Sequence, residues 1–205
     1  LTTSGSDERA LRTRRLALAA LNVSGSASVE TITAALDDSD AQTRRLATLA
    51  LLNADDLPER QVLIAKALTD RSAMVRLEAL VAYGKHGRLM GCTPIVDAVG
   101  DQNLHVALRA LDLLGEDCPT APSITSFVAS IAGGLNSDGD WHRPAHALVT
   151  LAQLNQNRAT GLVPRFVEHP VWQVRMYGVR AATQLGPASG VILAELADDP
   201  NANVR

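Results

Sequence analysis

Apolar residues recur along this chain at helical spacing, and they do so in register with a longer repeat. The stretches Thr13-Arg14-Arg15-Leu16-Ala17, Thr43-Arg44-Arg45-Leu46-Ala47, Val75-Arg76-Leu77-Glu78-Ala79, Val174-Arg175-Met176-Tyr177-Gly178 and the terminal Val204-Arg205 share one pattern. With the arginine as anchor, the equivalent positions are Arg14, Arg44, Arg76, Ala107, Pro144, Arg175 and Arg205, separated by 30, 32, 31, 37, 31 and 30 residues. Positions one before and three, six and seven after the anchor fall on one stripe of a helix turning 100° per residue, so that stripe is the predicted core face. Residues 29–36, 58–68, 94–99, 124–131 and 188–196 carry the apolar content of a second helix in each repeat. A helical hairpin of this size cannot bury its stripe alone, and stacking hairpins side by side is the stable outcome. The prediction is an all-α chain: one domain over residues 1–205, an α-solenoid of about six stacked antiparallel hairpins, incomplete at both ends.

Punctuation supports this division. Pro58, Pro170, Pro187 and Pro200 suit first helical turns, and Gly84, Gly87, Gly115 and Gly186 suit left-handed C-terminal caps. The unit at about 116–156 is irregular: it holds an insertion around Cys118-Pro119-Thr120-Ala121-Pro122, and Pro144 replaces the anchor arginine. Proline lacks the amide donor, so the helix containing Pro144 is expected to start near Asp140 rather than at Asp138. The chain opens on Leu1 without a signal-like run and stops inside a repeat, which reads as a fragment of a longer protein.

Ala and Leu number 32 and 29, against two each of Trp, Tyr and Phe, a bias toward small helix formers. No stretch approaches the roughly 20 apolar residues of a membrane span. Nineteen Lys and Arg against 22 Asp and Glu leave a net charge of −3, which argues against nucleic-acid binding.

Six residues before each anchor stands an acid or its stand-in: Glu8, Asp38, Asp70, Asp101, Asp138, His169 and Asp199. An aspartate at the turn can cap the following helix, and an arginine one turn in can reach the acid of the adjoining unit. Asp38, Arg44, Asp70, Arg76, Asp101, Asp138 and Asp199 are therefore expected to form a structural ladder. The competing reading makes Arg14, Arg15, Arg44 and Arg45 a basic ridge for phosphate or an acidic peptide.

Trp141 and Trp172 both lie three residues before an anchor, outside the core stripe, and stacking would bring them near each other. The opposite strip of each anchor helix takes Arg15, Arg45, Leu77, Leu108, Ala145 and Met176, with Leu49, Val81, Asp112, Val149 and Arg180 one turn on. Apolar and aromatic residues on such a strip suit a groove for a protein or peptide. The candidate contacts are Trp141, Trp172, Met176, Leu108, Leu77 and Arg175, with burial between units as the alternative reading. His142 and His146 stand four apart, a spacing that can hold a metal beside Glu168 and His169; no metal site is expected, because histidines at helix starts more often meet solvent or backbone. Cys92 and Cys118 fall at the same end of one hairpin, so a disulfide is geometrically allowed if the flanking loops close the gap, and an oxidising compartment would follow. No phosphate-cradling glycine loop or nucleophile motif is present, and no cofactor or catalytic residue is expected.

The pattern acid, five residues, Arg, two residues, Ala resembles the HEAT repeat in its short bacterial, lyase-type form. The resemblance covers nearly the whole chain and implies an armadillo-like helical fold, but not an activity, because this repeat serves many roles; the binding scaffold is expected from the stacked architecture itself. The segment from His169 to Tyr177 also resembles bacterial proteins that join HEAT repeats to a C-terminal cyclophilin-type prolyl isomerase, which would lie beyond Arg205. Two enzyme readings follow from the same resemblance. A HEAT-like DNA glycosylase would use Trp141, Asp140 and Trp172, against the acidic net charge; a bilin lyase would need a pocket that no residue marks.

Overall fold

In the computed structural model, residues 3–53, 57, 59–87, 91–118, 122–136 and 139–205 are described; Pro58 and Asp138 lie outside them. Among the described residues the chain is all-helical and no strand occurs. The helices are α1 (Thr3–Ser24), α2 (Val29–Leu36), α3 (Ala41–Asn53), α4 (Arg60–Leu68), α5 (Ala73–His86), α6 (Thr93–Val99), α7 (Leu104–Asp117), α8 (Pro122–Gly133), α9 (His142–Leu154), α10 (Gln156–Thr160), α11 (Val163–Val167), α12 (Trp172–Gln184) and α13 (Gly190–Leu196). They form two compact units, Leu1–Pro94 and Ile95–Arg205.

In the first unit α3 packs against both α1 and α5, while α2 lies on α3 and α4 on α5. In the second, α9 packs against both α7 and α12, with α8 on α9 and α11 on α12. The anchor helices are thus neighbours in each unit, and α2, α4, α8 and α11 each pack against the anchor helix that follows them.

The repeat columns explain that packing. Thr43, Val75, Val106 and Val174, one residue before the anchors, are buried, as are Ala47, Ala79, Ala110 and Ala147 three residues after them. Six and seven residues on come Ala50 and Leu51, Ala82 and Tyr83, Leu113 and Leu114, Thr150 and Leu151, and Ala181 and Ala182, all buried. Small side chains three residues after the anchor let the accompanying helix approach closely. At Gly178 a β-carbon would stand 2.7 Å from Val167 Cγ1 and 3.2 Å from the Val167 nitrogen. In α1 the corresponding Thr13 and Ala17 are exposed, and Ala17 lines an open cleft of about 360 Å³ with Leu18, Leu21, Ala34 and Ala35.

Several local expectations are corrected. Of the four glycines assigned to left-handed caps only Gly186 has positive φ, at 66°; the others of that kind are Gly25 and Gly91. Gly84 and Gly115 lie within α5 and α7, and Gly87 ends α5 with φ −91°. Gly115 is explained by packing instead, since a side chain there would meet Gln153 and Thr150 of α9. Pro170 and Pro200 occupy bends, whereas Pro164 and Pro187 stand in first turns. The helix carrying Pro144 starts at His142, so that proline sits in the first turn, where backbone N–H groups have no intrahelical acceptor to lose.

Candidate functional site

The acid and arginine columns meet as inter-helix rungs. Arg44 donates through Nε and Nη2 to Asp70 Oδ2 and Oδ1 at 2.7 and 3.0 Å, and through Nη1 to the carbonyls of Asp38 and Ser39 at 2.9 and 3.0 Å. Arg175 repeats this pattern: Nε and Nη2 reach Asp199 at 2.7 and 2.9 Å, and Nη1 reaches the carbonyls of His169 and Pro170 at 2.9 and 3.1 Å. Each guanidinium therefore holds the turn preceding its own helix together with the acid of the next repeat. Arg14 makes a looser version, 3.2 Å from Asp38, with 52% of its side chain exposed. Arg76 and Arg205 donate to the carbonyls of Asp70 and Asp199.

The acid does not cap the helix directly. Its carboxylate instead accepts the backbone N–H two residues on: Asp38 from Asp40, Asp70 from Ser72, Asp101 from Asn103 and Asp199 from Asn201. Where an anchor helix is capped by a side chain, the cap comes from those later residues, as when Asp40 accepts from Thr43 and Asn103 from Val106. His169 keeps the first role, with Nδ1 accepting from Val171 N–H at 3.2 Å. The preceding anchor is Pro144, so no guanidinium comes from that position and a carboxylate in the place of His169 would lack this partner.

These contacts shift the acids as expected of paired carboxylates. Arg175 holds Asp199 below the usual carboxylate range against the effect of burial. Burial pushes Asp70 up, but hydrogen bonds from Arg44 and the Ser72 amide outweigh it and leave it lowered. Asp40 is depressed strongly by the Arg15 hydrogen bonds, opposed by burial and helped by Thr43. Arg44 and Arg175 are correspondingly raised by their aspartates.

The four arginines of the first two repeats are all committed. Arg15 chelates Asp40 at 2.9 and 2.6 Å, and Arg45 contacts Glu78 at 2.9 and 2.6 Å, beside the Arg14–Asp38 and Arg44–Asp70 pairs. A ridge whose every cation faces a carboxylate offers phosphate no net positive field.

The second unit carries a polar chain, running from Asp112 on the strip opposite the core, that the sequence reading did not assemble. His146 of α9 donates from Nδ1 to Asp112 Oδ1 of α7 at 2.8 Å, and its Nε2 accepts from the Tyr177 hydroxyl of α12 at 2.7 Å. A carboxylate oxygen accepts, so the neutral ring carries its proton on Nδ1 and leaves Nε2 as the acceptor. The His146 and Tyr177 rings lie 4.8 Å apart, and the Arg180 guanidinium sits 5.1 Å from the Tyr177 ring centre. Trp141 stacks on His142 at 3.9 Å and meets Tyr177 at 6.2 Å, so its aromatic neighbour on α12 is Tyr177; among the described residues no ring contact joins the two tryptophans. Asp112, His146 and Tyr177 stand five, two and two residues after successive anchors. Comparing polar residues at the second and fifth positions after the anchor across successive repeats, rather than within one repeat, is the signal that would have found them.

The remaining candidates are dispersed. Leu108, Trp141, Trp172 and Met176 are partly exposed on the second unit, whereas Leu77 belongs to the first and is likewise half-buried. Arg175 is occupied by its rung. The apolar strip is less open than expected: Ala145 is fully buried, and of the positions named for it only Val81 and Arg180 are exposed. His142 pairs with Asp140 at 2.8 Å, and among the described residues no group of three or more His, Cys, Asp or Glu could hold a metal. Cys92 and Cys118 are both disulfide-bonded. No helix among the described residues is long and apolar enough to cross a membrane. Compared with known protein families and with curated proteins, the chain matches none.

Proposed function

We propose that the chain is a HEAT-like helical-repeat module, its units stretches of an α-solenoid, that binds a protein or peptide. The observation that carries this is the repetition of the rung: Arg44–Asp70 and Arg175–Asp199 use the same atoms on the same targets in different units. Side chains that recur in register hold neighbouring hairpins at a fixed offset, and such stacking builds a recognition surface from many side chains without a catalytic constellation. Leu108, Trp141, Trp172 and Met176 are partly exposed on the second unit, and large side chains of these types dominate binding energy where they become buried. An oxidising compartment suits the disulfide-bonded state of both cysteines.

Selection of a displayed random-peptide library on the immobilised protein tests the reading. The expected result is a recurring peptide motif whose capture is lost in the Trp141→Ala, Trp172→Ala double variant while the melting temperature changes little. A steep fall in melting temperature would make both rings core residues, and failure to enrich any motif would remove the binding role.

A further inference from the structure

Asp112, His146 and Tyr177 satisfy the geometric demands of an activated oxygen nucleophile: a hydroxyl 2.7 Å from an imidazole nitrogen, and a carboxylate 2.8 Å from the other nitrogen that orients the ring. Each group comes from a different helix, so the chain is assembled by tertiary packing rather than by local sequence. Mere inter-helix bracing does not require the hydroxyl to face a basic nitrogen whose opposite side is fixed by an acid. The first unit braces comparable positions with simple ion pairs, Arg15–Asp40 and Arg45–Glu78.

We propose that Tyr177 is a general-base-assisted nucleophile toward activated esters, with His146 as base and Asp112 as the residue that positions it. In the acylation step Tyr177 Oη attacks the ester carbonyl carbon. Its proton passes to His146 Nε2, the new Tyr O–C bond forms, and the bond to the leaving oxygen breaks; that oxygen either takes the proton from His146 or departs as phenolate, in which case His146 releases the proton to solvent before the return step. Asp112 faces the imidazolium that forms. In the return step water attacks the acyl-tyrosine carbonyl, gives its proton to His146, and the phenol recovers it as the acid product leaves. Burial raises the Tyr177 pKa, so at neutral pH the phenol keeps its proton and needs the base, while Arg180 above the ring favours the negative charge that develops. Trp141, 6.2 Å from the ring, supplies an apolar wall for an aryl ester.

p-Nitrophenyl acetate is the probe, with peptide mapping by mass spectrometry to locate the acetyl group. The chain has two tyrosines, and Tyr83, buried with its hydroxyl donating to the Gly91 carbonyl, is the internal control. Acetyl is expected on Tyr177 and not on Tyr83. His146→Ala is expected to slow Tyr177 acetylation by about 100-fold or more, with the rate recovered by added imidazole, which a bracing role would not restore. Asp112→Asn should slow the same step and Asp112→Glu retain part of it, with helicity by circular dichroism showing that the variants fold. Acetyl resting on His146 itself, equal rates in the native chain and His146→Ala, failure of imidazole to restore the rate, or no label on Tyr177 in the native protein each overturns the proposal.

Discussion

Replacing Arg44 by methionine should be among the most destabilising single changes in the first unit, because its rung is buried while the neighbouring one is not. Only 5% of the Arg44 side chain and 12% of the Asp70 side chain are exposed, against 52% for Arg14 in the equivalent pair with Asp38. Methionine keeps the aliphatic stem but removes the guanidinium, leaving Asp70 buried with the Ser72 amide as its remaining donor of those described above. Breaking a buried, hydrogen-bonded ion pair from one side costs about 3–5 kcal/mol. Arg71 still favours the Asp70 charge, which places the expectation near the lower end, about 3 kcal/mol. Arg14→Met, in an exposed single contact, should cost about 0–1 kcal/mol. Because the chain divides into two compact units, a single unfolding free energy is not assumed. Hydrogen exchange of α3 and α5 amides, followed by mass spectrometry, measures the opening free energy of the unit that holds both pairs. The Arg44→Met, Asp70→Leu double variant should recover most of the loss, since two apolar groups replace two charges together. Equal costs for Arg44→Met and Arg14→Met, or simple additivity in the double variant, would refute the view that buried rungs hold the repeats in register.

Three further outcomes follow from the same geometry. Gly178→Ala should destabilise the second unit by about 1–3 kcal/mol, since its β-carbon meets Val167 at 2.7 Å; Gly190→Ala, with nothing within 4 Å of the added carbon, should not, and thermal melts of the pair check this. Asp40, Asp70 and Asp199 are all held below the normal carboxylate range. Their contribution to stability is therefore present above the unfolded pKa of about 4 and lost as pH falls below it. Tryptophan fluorescence, which reports the second unit because Trp141 and Trp172 both lie there, should show a shallower acid-unfolding limb in Asp199→Asn; an unchanged limb would mean that another group controls it.

Helix identity and the column order were legible because both depend on local spacing. The segment 29–36 is α2 as observed, and the buried columns around Ala47, Ala79, Ala110 and Ala147 follow from the 100° turn of a helix. Glycine roles were not legible. Gly115 looked like a cap, yet it faces Gln153 and Thr150, residues of a helix that begins 27 positions later. Arg175 looked free for a partner, and only the position of Asp199 shows it occupied.

The sequence alone determined an all-α chain with recurrent acid and arginine columns, since helical periodicity and repeat length are properties of neighbours along the chain. Tertiary structure decided which acid each arginine grips, which columns are sealed, and that Asp112, His146 and Tyr177 meet. Those outcomes depend on the offset between helices, which is set by packing of side chains some 30 residues apart and has no signature within any single repeat.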